Sequence, residues 1–265
     1  PSMNQGLRQT IPYFAAVALG QGLAFLLLPI ITRYLEEAAY GEYALATAVS
    51  GFVGMLASAW IRNVGMRLYF DALARRETRA FYVSTTLLQA ALLVVVYAAT
   101  LAALTAAGIE LASLRVLISA GVTVLLGDQF AYATTLLRAE QRPGAYAAAE
   151  IAAGVIRFAA TVAGLMLGAR SAALLFDAAS LGFLLAGGFA VAALWRRLQG
   201  HRLLDAAAAI EVLRVGPRSL PFSVSAWLER LADRLVLQFF AGTAVVGVYS
   251  VGYALGERII GSLVQ

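Results

Sequence analysis

The chain has 265 residues, 61% of them hydrophobic and 13% charged, against roughly 25% charged in soluble domains. That composition, with a mean hydropathy of +0.80, reads as a membrane protein; with no cysteine and one histidine it holds no disulfide framework or thiolate metal site and offers little for imidazole ligation. The net charge of +5 comes from arginine alone among the 20 basic residues, so its placement has to be known before its sign points to any partner.

Pro1 and Ser2, ahead of Met3, read as residues added before a native start and are left aside. Uncharged runs follow at residues 9–32, 43–61 and 81–109, of 24, 19 and 29 residues, where about 20 span a bilayer. The first is longer than the apolar core of a signal peptide and reads as a retained helix. The predicted spans are 9–33, 42–66, 81–107, 115–137, 145–168, 171–195, 218–241 and 245–265.

Arginines set the orientation. Arg8, Arg62, Arg67, Arg75, Arg76, Arg79, Arg138, Arg142, Arg196, Arg197, Arg202, Arg214 and Arg218 fall on alternate inter-helix segments, 13 on one side, while Arg33, Arg115 and Arg170 lie opposite. Positive charge accumulates in cytoplasmic loops, so the N-terminus is expected inside and basicity reports topology rather than nucleic-acid binding.

Between the sixth and seventh spans, "RRLQGHRLLDAAAAIEVLRVGPRSLP" is a polar connection with an amphipathic piece at 203–215 suited to the membrane interface. It reads as a linker at 201–216 between a first lobe, 3–200, and the start of a second, 217–265. A weak internal repeat agrees: Pro12 precedes Gly41 of "YGEYAL" by 29 residues, and Pro217 precedes Gly247 of "VGVYSV" by 30. Six helices lie between the copies, so the repeats are expected to be parallel. A complete second lobe needs about four more helices, and the chain is expected to be a piece of a longer protein. The 22 uncharged residues at 235–256 could form one span, but the repeat places a turn at 241–243 and a helix start before Gly247.

Ionisable residues inside predicted spans are costly and usually face a bundle interior or a hydrated cavity. They are Asp128, Glu150, Arg157, Asp177, Glu229, Arg230, Asp233, Arg234, Glu257 and Arg258. Glu150 and Arg157 share one helix face, about 20° apart. In "WLERLADRLVLQFF" the charges Glu229, Asp233, Arg230 and Arg234 fall within about 140°, one polar stripe, with Glu229 and Arg230 near the midplane. Ten such residues on five helices point to a transport pathway more than to packing. The glycines read as sites of close helix contact.

The stretches "LPIITRYLEEAAYGEYAL", "LRAEQRPGAYAAAE" and "LPFSVSAWLERLADRLVLQFFAGTAVVGVYSVGYALGERI" resemble the lipid-linked oligosaccharide flippases of bacterial polysaccharide export, in the multidrug/oligosaccharidyl-lipid/polysaccharide exporter superfamily. The resemblance covers essentially the whole chain; its most specific parts are Asp233-Arg234 and the Gly247-x-Tyr249 start of the eighth helix, echoed by Gly41-x-Tyr43 at the start of the second. It implies an all-α polytopic fold of two six-helix lobes, of which this chain holds the first lobe and two helices of the second. It also implies alternating access, a cationic cavity, and an undecaprenyl-diphosphate-linked saccharide as substrate, taken from the cytoplasmic face of the bacterial inner membrane. Membrane lipids and the polysaccharide polymerase machinery are the other partners.

A diphosphate needs guanidinium donors, which stay charged and bind phosphate oxygens in pairs. Arg157, Arg230, Arg258 and Arg234 are the candidates. Asp128, Glu150, Glu229, Asp233 and Glu257 are the candidates for ion coupling or gating, with Na+ or H+ as the ion; Asp233 and Arg234 could close the outer end through partners on the first lobe. No organic cofactor is expected. The alternatives are a cation-coupled drug exporter of the same superfamily, which four intramembrane arginines oppose, a scaffold or inactive half-transporter, and an enzyme of polyprenyl-phosphate chemistry, which lacks an Asp-rich metal motif here.

Overall fold

The structure is a computed structural model; it describes the backbone of residues 3–264 and the side chains of residues 11–256 except Ala226 and Arg230. Every element among the described residues is helical: α1 (Met3–Tyr34), α2 (Glu37–Gly54), α3 (Trp60–Ala74), α4 (Thr78–Ala106), α5 (Leu114–Ala139), α6 (Pro143–Met166), α7 (Ala172–Trp195), α8 (Ala206–Val215), α9 (Leu220–Ala241) and α10 (Thr243–Val264). This is an all-α polytopic membrane fold. Six segments among the described residues are long and apolar enough to cross a bilayer: 11–34, 37–74, 78–106, 114–139, 143–166 and 172–195.

Helices α2 and α3 form one rod, joined by a π-helical turn at Met55–Ala59. Its 38 residues extend about 57 Å at roughly 1.5 Å per residue, nearly twice the bilayer's hydrocarbon core. The surplus carries Arg67 past the apolar layer. Two of the arginines assigned to inter-helix segments, Arg62 and Arg67, are therefore inside α3. The predicted span at 42–66 already contains Arg62, and the helix runs on to Ala74 to take in Arg67 as well: charge ends a hydrophobic run, not a helix.

Chain turns follow local chemistry. Pro143 is at the start of α6, where its missing N–H costs nothing. Gly242, at φ 82°, separates α9 from α10, a conformation glycine adopts without a Cβ penalty. The break is in the turn expected at 241–243 and excludes a single span at 235–256.

The bundle has two ends. One carries the α3–α4 turn, the α5–α6 turn and the segment from Gln199 to α8; call it the linker end. There the Arg79 backbone N–H donates to the Gln199 carbonyl, and Ser84 accepts from the Asp205 N–H at 2.7 Å. The Asp205 side chain caps α8 through the Ala208 N–H at 3.0 Å, stabilising a ten-residue helix too short to persist alone. One face of α8 buries Ala208 and Val212, the latter against Trp60, Ile61 and Val64; Ile210 and Leu213 stay exposed. Gly216 lies flat on the Trp60 ring, where any Cβ would overlap it.

The main buried cluster joins α3, α4, α5, α6 and α7 around Tyr69, Phe81, Tyr132, Leu136, Ala149 and Leu194. Many outward residues, among them Phe14, Val95, Leu114 and Leu184, are large, apolar and exposed, as suits a surface solvated by acyl chains.

Candidate functional site

A stripe of small residues on α2, Gly41, Ala44, Ala48 and Gly51, recurs at helical spacing and receives α9 and α10. The Trp227 indole N–H donates to the Ala48 carbonyl at 3.1 Å, its ring lies 4.7 Å from that of Phe52, and Leu231 fits against Gly51. Nearer the end away from the linker, Gly41 and Gly247 meet. A Cβ on Gly41 would overlap the Thr243 carbonyl, and one on Gly247 would overlap the Glu37 carbonyl. Each overlapped carbonyl belongs to the residue four before the other glycine, so the contact is reciprocal. Ala44, Leu45 and Val246 close the seam below it.

Arg157 of α6 lies in the wall of a cavity of about 90 Å³ bounded by α1, α2 and α6, with Gly20, Leu27, Tyr40, Tyr43 and Gly154 around it. Its guanidinium donates to the Tyr43 hydroxyl at 3.4 Å. Tyr43 is held by Tyr40 and Phe176, at ring separations of 5.7 and 4.8 Å. No acid of the described residues pairs with Arg157. Val251 and Ala254 of α10 pack on the adjoining cluster around Tyr40 and Leu28, so α10 borders the same region.

Glu150, two turns away on α6, faces Thr134 and Arg138 of α5, and Arg138 stacks 5.3 Å from the Tyr146 ring. The shared face of Glu150 and Arg157 thus serves two environments.

Asp128 of α5 binds Arg62 of α3 at 3.1 Å and accepts from the Ser58 hydroxyl. Ser58 belongs to the π turn and also donates to the Gly54 carbonyl at 2.7 Å. Such turns recur at functional positions because they re-aim side chains; this one brings Ser58 and Arg62 onto one carboxylate. Arg62 is the membrane-depth cation that sequence reasoning missed. Beside it, the Trp60 indole N–H donates to the Leu56 carbonyl at 2.7 Å.

The stripe on α9 divides. Asp233 accepts from the Tyr249 hydroxyl and from the Arg234 backbone N–H. Arg234 is 8% exposed, donates from Nε to Ser250 at 3.3 Å and lies 4.9 Å from the Tyr253 ring. Tyr249, Ser250 and Tyr253 are on α10, the adjacent helix. Glu229 is exposed. Arg230, Glu257 and Arg258 lie outside the described side chains. Asp177 is paired with Arg115 at 3.1 Å near the end away from the linker.

The fold and its membrane-depth charges define a multi-pass membrane protein of transporter type. The chain matches the family model described as polysaccharide biosynthesis protein over residues 7–264 and belongs to that family, the polysaccharide transporter branch of the multidrug/oligosaccharidyl-lipid/polysaccharide exporter superfamily. Members of this family are transporters rather than enzymes. No curated protein and no solved structure matches the chain.

Proposed function

We propose that the chain works as a flippase that moves a polyprenyl-diphosphate-linked oligosaccharide from the cytoplasmic to the outer face of the bacterial inner membrane by alternating access, for surface polysaccharide synthesis. The observation carrying this reading is Arg157: an arginine at membrane depth, facing a cavity, whose hydrogen-bond partner among the described residues is the neutral Tyr43 hydroxyl rather than an acid. A guanidinium with no acid paired to it among the described residues attracts an anion and repels an organic cation, so a diphosphate fits where a cationic drug does not.

On this reading residues 3–200 and 217–265 belong to two lobes joined by 201–216, the linker end is cytoplasmic, and so is the N-terminus. Arg230 and Arg258 join Arg157 on the diphosphate when substrate enters, while Arg234 holds α9 to α10. Asp128 and Glu150 are the groups through which Na+ or H+ would couple.

The test replaces Arg157 by Ala and by Lys in cells that depend on this protein for surface polysaccharide, with membrane levels of each variant measured. Loss of charge-assisted hydrogen bonds of roughly 1.5–3 kcal/mol lowers substrate affinity about tenfold to a hundredfold. Export is expected to collapse in Arg157→Ala and to persist in part in Arg157→Lys. Wild-type export from Arg157→Ala at normal abundance would overturn the reading.

A further inference from the structure

Between α5 and α7 runs an open, mostly apolar groove of about 670 Å³. Ile118, Val122 and Leu126 form one wall, and Leu181 and Leu184 the other. Four of these are exposed, Ile118 at 52%, Val122 at 44%, Leu181 at 44% and Leu184 at 55%, as on the rest of the lipid-facing surface. The polar groups beneath satisfy one another: the Thr123 hydroxyl meets the Ser180 hydroxyl at 2.8 Å and the Phe176 carbonyl at 2.9 Å. The walls of the groove are therefore mostly hydrocarbon, with Ser119 beside the Thr123–Ser180 pair at its base.

Its mouth is charged. Arg115 and Asp177 stand there 3.1 Å apart, their side chains 77% and 47% exposed. An ion pair this open adds little stability, yet it places a cation and an anion side by side at the edge of an apolar slot. Arg115 also stands in the first turn of α5, where unpaired backbone N–H groups favour a phosphate. The length agrees with a lipid: from Arg115 to Leu126 the helix descends about 16 Å, close to one leaflet of a hydrocarbon core about 30 Å thick.

We propose that this groove is a binding site for one phospholipid with a zwitterionic, primary-amine head group. The lipid phosphate lies on Arg115, the ammonium on Asp177, and one acyl chain runs down the groove past Ile118 and Val122. An anionic glycerol head group would meet Arg115 but offer Asp177 no cation, and a choline head group would bring a cation that cannot donate hydrogen bonds. Order of retention therefore runs from ethanolamine to choline to glycerol. The site is independent of the transport reading, since it rests on α5 and α7 alone.

The test is native mass spectrometry of the full chain, equilibrated in detergent with equal amounts of phosphatidylethanolamine, phosphatidylcholine and phosphatidylglycerol. Wild type is expected to retain one phosphatidylethanolamine at about fivefold preference over phosphatidylglycerol, the scale of one exposed charge contact. Asp177→Asn should keep a bound lipid but lose the preference, and Arg115→Ala should lose most bound lipid of every kind. Ile118→Trp fills the slot from its lipid-facing wall and leaves the ion pair in place, so it should release the lipid while the thermal midpoint stays near wild type. Equal retention of the three lipids by wild type, or undiminished retention in Arg115→Ala or Ile118→Trp, would overturn the proposal.

Discussion

At the residue scale, the pairing that organises the middle of the first helices is Arg62 with Asp128, 28% and 16% exposed. Removing one member leaves the other's charge without its partner in a largely apolar setting, at a cost of roughly 1.5–3 kcal/mol. Removing both with apolar residues of similar volume avoids that cost. Arg62→Leu and Asp128→Leu are each expected to lower the thermal midpoint in detergent, and the double variant to recover most of the loss. A double variant as unstable as the sum of the two would show that the residues act independently and that the pair is not the unit. Asp128 was legible from sequence as a charge inside a span; its partner was not, because Arg62 directly follows an uncharged run and looks like a loop residue. The span at 42–66 carries the helix through Arg62, but no one-dimensional pattern shows the π turn at Met55–Ala59 that brings Ser58 and Arg62 onto Asp128.

At the element scale, the contact of α2 with α10 depends on two glycines rather than on charges. Helices approach this closely only where no Cβ intervenes, and the gain is dispersion contact with carbonyl oxygens beside Cα hydrogens. Gly41→Val and Gly247→Val should each force the helices apart at the end away from the linker. The cysteine-free sequence allows spin labels at Glu36 and Ala241, and electron–electron resonance distances between them are expected to lengthen in both variants. Asp233→Asn removes the charge and one of the two oxygens that accept from Tyr249 and the Arg234 N–H but leaves the glycine contact, so its distribution should stay close to wild type. The reverse pattern, with Asp233→Asn opening and Gly41→Val unchanged, would place the closure in α9 instead. The repeat aligned Gly41 with Gly247 by position, but that the two touch follows from how α2 and α10 cross, which spacing does not encode.

At the scale of the whole molecule, orientation is the open quantity that charge addresses. Of the arginines read as lying on one side, all but Arg62, which is paired with Asp128, fall toward the linker end, against Arg33, Arg115 and Arg170 at the other, and by the positive-inside rule the linker end is expected to be cytoplasmic. Arg75 and His201 are both exposed there. Single cysteines at these positions are expected to resist a membrane-impermeant thiol reagent in intact cells and to label after permeabilisation, whereas a cysteine at Glu110 should label in intact cells. Ready labelling at Arg75 or His201 without permeabilisation would reverse the orientation and the direction of transport proposed with it.

Composition and periodicity determined the class of protein, the first six spans and the helix break at Gly242, because a bilayer imposes a length of apolar chain and removes the alternatives to helix. They also picked out nearly all the membrane-depth charges, since such residues are expensive and few. What faces what was decided by tertiary structure. Asp233 and Arg234 turned toward α10, Arg157 toward Tyr43, Asp128 toward Arg62, and Arg115 found Asp177 across two helices. A helix fixes the angle between its own residues but not its rotation about its axis. That rotation is set by the packing of small residues such as Gly41, Ala48 and Gly51 against a neighbouring helix, and it exists only once both helices are in place.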